Sequence, residues 1–266
     1  MHVMHFDWMS ALVFIMGTVF GSFFNVCIWR LPREESIVEP PSHCPVCRYR
    51  IQWYDNVPLL SFVMLRARCR KCRVVIPLRY PAVELITGLA YLWIWWQFGP
   101  TAQALTATFL FSVLLVASVI DFDHQIIPDE TSLGGLVVGI VASAMVPALH
   151  GKSVWWEGLR ESLIGMLAGG GLIYVTGVLG TLAFRKDAMG GGDVKLLAML
   201  GAFLGWKKVL LVYLLAPIFA LPLGLFLKFV KKQDVLPFGP FLAAAGWVSF
   251  VWGEQMIRWY LGGLMW

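Results

Sequence analysis

Apolar residues fall in long runs along the chain, around residues 8–30, 81–98, 102–120, 131–149, 157–184, 194–206, 209–228 and 239–262. These runs show neither the period-two alternation of half-buried strands nor the polar face of surface helices, so they predict helices apolar around most of their circumference. A bilayer crossing needs about 20 residues, which makes eight spans the working count. The run at 194–206 is short, and read as a re-entrant segment it leaves seven spans and reverses the sidedness of the later helices. One long polar segment, residues 31–80, interrupts the series. No internal repeat or low-complexity tract stands out. The chain is therefore read as an all-α polytopic membrane protein: a first helix over 1–30, a small polar domain over 31–80, and a helical membrane domain over 81–266.

Composition agrees, with 59% hydrophobic and 14% charged residues. Soluble domains carry about 25% charged residues, so a large soluble core is excluded. Thirteen tryptophans suit interfacial belts. The net charge of +5 raises the question of nucleic acid, but ten of the 21 Lys and Arg lie between Arg30 and Arg79. That distribution fits a cytoplasmic loop beside anionic lipid and predicts no nucleic-acid partner. With the loop inside, Arg185, Lys186, Lys195, Lys228, Lys231 and Lys232 also fall inside, sixteen basic residues against five outside (Lys152, Arg160, Lys207, Lys208 and Arg258). The N-terminus is then periplasmic. It lacks a basic n-region and a small-residue cleavage site, so the first run is expected to stay as an anchor.

The polar segment holds "CPVC" (Cys44, Cys47) and, after 21 intervening residues, "CRKC" (Cys69, Cys72). Two CxxC turns each present a pair of sulfurs, which together match a closed tetrahedral zinc site. Arg48, Arg70, Lys71 and Arg73 offset the charge of four thiolates. A disulfide pair is disfavoured on the reducing side of a membrane. A four-cysteine site leaves no open position, so the metal is expected to be structural. Cys27, inside the first run, is expected to be a buried packing residue. "GSFFN" (Gly21 to Asn25) in the same run predicts close helix packing.

Two acidic motifs sit at ends of apolar runs. "VIDFDHQIIPDE" places Asp121 directly after the third run, followed by Asp123 and by Asp129 after Pro128. "DAMGGGDVKLLAML" places Asp193 behind Gly190, Gly191 and Gly192 and just before Lys195. Counting turns puts Asp121 and Asp193 at one face of the bilayer. Two carboxylates at a low-dielectric boundary do not both ionise cheaply; they divide into an acid and a base that can activate water against a peptide carbonyl. Membrane carboxylates also serve proton-coupled transport, and Asp193 is placed to answer a helix dipole. Asp129 reads as a helix cap, and Lys195 either biases the acid pair electrostatically or snorkels to headgroups. The glycines before Asp193 leave room for an extended substrate backbone, and "PFGP" at 237–240 is an interrupted helix entry where exposed backbone can pair with one. A plain helix start is the alternative there. Neither a Gly-x-Ser-x-Gly elbow nor a strand leading into "GGGD" occurs.

With these motifs placed, the chain resembles the bacterial prepilin peptidases, the leader peptidase/N-methyltransferases of type IV pilus and type II secretion systems. The likeness runs through "GSFFNVCIWRLP", both cysteine knuckles, "WYDNVPLLS", "IPLRYPAVELITG", "IDFDHQIIPD", "MGGGDVKLLAMLGA" and "PFGPFLAAAGW". It implies an intramembrane aspartyl protease of the glycine–any–glycine–aspartate class, with Asp121 and Asp193 catalytic and Gly190, Gly192, Lys195 and Asp129 supporting. It implies prepilin or pseudopilin substrates with a short basic leader, cut after glycine at the cytoplasmic face of the inner membrane. S-adenosylmethionine-dependent methylation of the new N-terminal amine comes from the resemblance alone, with no residues assigned to the methyl donor. A proton-coupled transporter and a zinc-bearing membrane scaffold are the alternatives.

Overall fold

The computed structural model describes residues 7–185, 189–226 and 236–263. Lys186, Lys228, Lys231 and Lys232, which enter the charge count, lie outside them. The long helices are α1 (Trp8–Arg30), α3 (Arg79–Phe98), α4 (Ala102–His124), α5 (Asp129–Met145), α6 (Trp155–Phe184), α7 (Gly191–Phe226) and α8 (Gly239–Gly263); α2 is one short turn, Leu60–Met64. Among the described residues there is no strand, only isolated antiparallel bridges at His43–Arg50 and Arg68–Val75. The chain divides into two compact units, residues 1–112 and 113–266, with the boundary inside α4.

In the first unit, Asp7 caps α1 by accepting the Ser10 N–H at 2.9 Å. Helices α1 and α3 run antiparallel and are tied near both ends. Trp96 Nε1 donates to Ser10 Oγ at 3.0 Å, and Asn25 Nδ2 donates to the Tyr80 carbonyl at 3.0 Å. Between these ties the backbones touch, as the small residues of "GSFFN" predict: a Cβ on Gly21 would lie 2.7 Å from Glu84 Cα. Cys27 is buried, as expected.

The second unit is built around the first half of α7. Leu196, Leu197, Met199, Leu200, Ala202 and Phe203 are fully buried. The short run at 194–206 is thus a buried helix packed against α5, α6 and α8. At Gly205, whose φ of 75° and ψ of 170° are non-helical, the chain doubles back: Leu197 and Val209 both come within 3 Å of where a Cβ on Gly169 would sit, so α7 is two helices, the runs at 194–206 and 209–228, packed side by side. Beside the break, Ser143 Oγ donates to the Ala202 carbonyl at 2.9 Å, and His150 Nε2 lies 2.8 Å from that hydroxyl. Burial, with the charge of Lys208, holds the His150 imidazole down at about 4, so it is a neutral partner there.

Helices α6 and α7 cross backbone to backbone, and a Cβ on Gly201 would overlap the Gly165 carbonyl oxygen. Gly201→Val is expected to push the helices apart and cost about 1–3 kcal/mol, read as a lowered melting temperature in detergent. The same substitution at Gly134, where nothing approaches a Cβ, is expected to leave stability nearly unchanged.

Among the described residues, four helical stretches, α1, α4, α6 and α7 with its two halves taken together, are long and apolar enough to cross a bilayer by length and composition. The other runs fall short of those limits for physical reasons. Helix α5 has 17 residues, and Trp, Tyr, Gly and charged positions dilute α3 and α8. The run at 131–149 is shortened because Pro147 ends it, and residues 147–150 form a separate 3-10 turn.

Candidate active site and metal centre

Asp121 occupies the last turn of α4 and is buried, with 6% of its surface exposed. The helix stops at His124 because Gln125 adopts a left-handed conformation, φ 56°, its N–H returning to the Asp121 carbonyl at 2.9 Å. This turn carries Ile126 and Ile127 back toward Asp121, and Pro128, extended at ψ 144°, hands the chain to α5. The Asp121 side chain is fixed from the far end of the sequence. Its Oδ2 accepts the Gly239 N–H, the first of α8, at 2.8 Å. "PFGP" is therefore a helix start whose leading N–H is already engaged by a carboxylate, and residues 236–238 before it are irregular.

Asp193 is half-buried in the first turn of α7, with its own N–H returning to the Gly190 carbonyl at 3.1 Å. Gly190 stands beside its carboxylate, where a Cβ would lie 3.5 Å from Asp193 Oδ2. Ile127 joins the two neighbourhoods. A Cβ on Gly192 would lie 3.0 Å from Ile127 Cβ, and one on Gly239 would lie 3.2 Å from Ile127 Cδ1. Gly192 thus makes room for a residue of this chain, whereas the space beside Gly191 is open. The N-termini of α7 and α8, both positive ends of helix dipoles, bear on the two carboxylates.

The supporting residues meet as well. Lys195 Nζ pairs with Asp129 Oδ1 at 2.5 Å, so Lys195 is not simply snorkelling. Asp129 is the first residue of α5 and makes no side-chain cap there; the Thr131 and Ser132 hydroxyls instead return to the Pro128 carbonyl at 2.7 and 3.1 Å. Both partners of the ion pair are substantially exposed, so it contributes little stability, and its position beside Asp193 is the more informative fact. Sequence reasoning missed Ile127 and Gln125, which carry no chemical signature. Pro128, closely after both, was the available sign of a tight return.

A Gly239→Ala substitution tests these contacts. The new Cβ would sit 2.8 Å from Asp121 Oδ2. The carboxylate must shift by a fraction of an ångström or more, and turnover is expected to fall by up to about 10²-fold with KM little changed. Retained metal content and unfolding temperature would show that only the carboxylate has moved.

In the first unit, the four cysteine sulfurs lie within 4.8 Å of one another. Cys44 Sγ is 3.7 Å from Cys72 Sγ, and Cys47 Sγ is 4.0 Å from Cys69 Sγ. Four sulfurs about 2.3 Å from a central zinc stand about 3.8 Å apart, so the donor set and its spacing fit a tetrahedral metal. The two knuckles repeat one backbone design. Cys44 N–H donates to Tyr49 O at 2.9 Å and Cys69 N–H to Val74 O at 2.9 Å, with Arg48 and Arg73 both left-handed, φ 54° and 61°. A bidentate pair braces the loop between them, Arg70 Nε and Nη2 on Asp55 at 2.7 and 2.6 Å.

Residues 15–98 match the Bacterial Peptidase A24 N-terminal domain, and residues 108–225 match the Type IV leader peptidase family. Prepilin leader peptidase/N-methyltransferase of Aeromonas hydrophila is 34% identical over 94% of this chain and 93% of its own length. The chain belongs to the type IV leader peptidase family. The protein of the same name from Pseudomonas aeruginosa is 34% identical over 93% of this chain and 91% of its own. That from Legionella pneumophila is 32% identical, over 98% and 97%. No solved structure matches. The leader peptidase match spans Asp121, Asp129, Asp193 and Lys195, and the N-terminal match spans all four cysteines. Membership in a peptidase family displaces the transporter and scaffold alternatives.

Proposed function

We infer that this protein is a multi-pass inner-membrane aspartyl endopeptidase. It removes the short basic leader from type IV prepilins or type II secretion pseudopilins after a glycine, then methylates the new N-terminal amine with S-adenosylmethionine. Supporting this are the family and the names of its relatives. The observation that carries the mechanism is that Ile127 packs against both Gly192, the neighbour of Asp193, and Gly239, whose N–H holds the Asp121 carboxylate.

Two such carboxylates share one proton. The ionised partner takes a proton from a water as its oxygen adds to the scissile carbonyl, while the protonated partner donates to the carbonyl oxygen. The tetrahedral intermediate then collapses. The C–N bond breaks, the amine leaves with a proton from the first carboxyl, and the leader ends in a new carboxylate. The Gly239 N–H orients one Asp121 oxygen and leaves the other free to face water. The pair Lys195–Asp129 ties the start of α5 to the turn that carries Asp193.

Cys44, Cys47, Cys69 and Cys72 would hold a structural zinc, which would shape the loop and take no part in hydrolysis. S-adenosylmethionine supplies an electrophilic methyl group; that half of the reading rests on the relatives' names, and no residue is assigned to it. The excess of basic residues on one side supports a cytoplasmic position for the zinc loop and the aspartates, with the N-terminus in the periplasm.

The test is direct. Purified protein is incubated with a prepilin-like substrate, with and without S-adenosylmethionine, and the products are read by mass spectrometry. Expected is one cut after glycine, with a mass gain of one methyl only when the donor is present. An uncut substrate would reject the peptidase reading, and a cut product that never gains the methyl would reject the transferase half.

A further inference from the structure

The loop between α1 and α3 does more than hold a metal. After the first knuckle the chain returns to the helix pair at Leu59, whose N–H donates to Glu84 Oε2 at 2.8 Å. Glu84 lies on α3 level with Gly21, nine residues before the end of α1 at Arg30, or about 13 Å along the helix axis. Leu59 itself is strained, with φ 60° and ψ −49°, and the Leu60 N–H closes a tight turn on the Pro58 carbonyl at 2.6 Å. A leucine adopts that conformation only when its surroundings impose it. A buried carboxylate thus pins the loop down beside the membrane helices immediately before α2 begins.

Helix α2 has two unlike faces. Ser61 is buried and its hydroxyl donates to the Tyr54 carbonyl at 3.1 Å, locking the helix to the Trp53–Asp55 turn. Leu60, Val63 and Met64, at i, i+3 and i+4, point outward and are 56%, 71% and 71% exposed. On the same locked turn, Trp53 is 80% exposed. Asp55 on that turn is taken up by Arg70, and beyond it the flanking charge has one sign: from Val57 to Arg79 there are six basic residues and no acidic one except Glu84 further along α3. Arg66 and Arg68, directly after α2, are exposed.

We propose that the outer face of α2, together with Trp53, is a membrane-docking surface that enters the headgroup layer of an anionic bilayer, with Arg66 and Arg68 on lipid phosphates. Apolar side chains beside arginines, held at the root of a helix pair, match the chemistry of an interfacial segment. Tryptophan suits that depth, and the arginine stems add apolar cover below their charged ends.

The experiment uses the full chain in lipid nanodiscs with p-benzoyl-L-phenylalanine replacing Val63, irradiated and analysed by mass spectrometry. The same photoreactive residue at Ile15, an exposed position on α1, is the reference for lipid contact. Stoichiometric zinc confirms that the labelled loop is folded. Expected are phospholipid adducts at Val63 comparable in yield to those at Ile15 in discs containing phosphatidylglycerol. The Val63 yield should fall several-fold in discs of phosphatidylcholine alone, and likewise with Arg66→Gln and Arg68→Gln combined. Lipid adducts at Ile15 with none at Val63 would overturn the proposal. So would capture at Val63 of this polypeptide, a second copy or a pilin-like substrate in place of lipid, or a yield indifferent to headgroup charge.

Discussion

Asp121→Asn and Asp193→Asn are each expected to abolish leader cleavage, with rates falling on the order of 10³-fold or more. Either amide preserves the shape of the carboxylate but can neither take the proton from water nor pass one to the leaving amine. The losses should not add: once one carboxylate is gone there is no shared proton to divide, and the double variant should match the singles. The fold should survive. An amide in place of Asp121 keeps an oxygen to accept the Gly239 N–H, and one in place of Asp193 sits in a half-buried helix turn. Melting temperatures and zinc content close to wild type, measured on the same preparations, separate lost chemistry from lost structure. Cleavage persisting near the wild-type rate in either variant would remove that residue from the mechanism.

Removing the metal is expected to have the largest effect on structure. Structural zinc in small cysteine sites contributes about 10–16 kcal/mol of apparent folding free energy, and the knuckle loop has little else to hold it. Its residues expose Val46, Trp53, Val63, Met64 and Val75, and its regular structure amounts to isolated bridges and short helical turns. Chelation, or Cys44→Ser with Cys69→Ser, should therefore make residues 42–76 protease-sensitive while α1 and α3 remain paired. Metal analysis should find one zinc per chain in reduced wild-type protein and almost none in the variant. In the proposed mechanism the aspartates act without the metal, so residual cleavage should keep its dependence on Asp121 and Asp193. Substoichiometric zinc in intact wild-type protein would reject the site.

Much of this was visible in the order of residues. The run at 8–30 became Trp8–Arg30, 81–98 became Arg79–Phe98, and 239–262 became Gly239–Gly263. The cysteine spacing marked the cluster of four sulfurs. What stayed hidden depends on contacts without periodicity. Helix α4 runs one turn beyond its apolar stretch, because polar residues at a boundary continue a helix until Gln125 turns left-handed. The partnership of Lys195 with Asp129 joins residues 66 apart in sequence, and that of Glu84 with the Leu59 N–H joins a side chain to a main-chain group. Hydropathy announces neither. The core position of 194–206 was hidden for another reason. A helix apolar on every side reads the same whether lipid or protein surrounds it, and only the abutting glycines of α6 and α7 decide.

One bond in the site has an unusual exposure to mutation. The donor that orients Asp121 belongs to the main chain at residue 239, so no ordinary side-chain replacement deletes it; only proline does. Position 239 therefore responds to change in two distinct ways. A larger side chain keeps the donor but crowds the carboxylate, whereas proline removes the donor, and comparing the two separates misplacement from lost anchoring at a single residue.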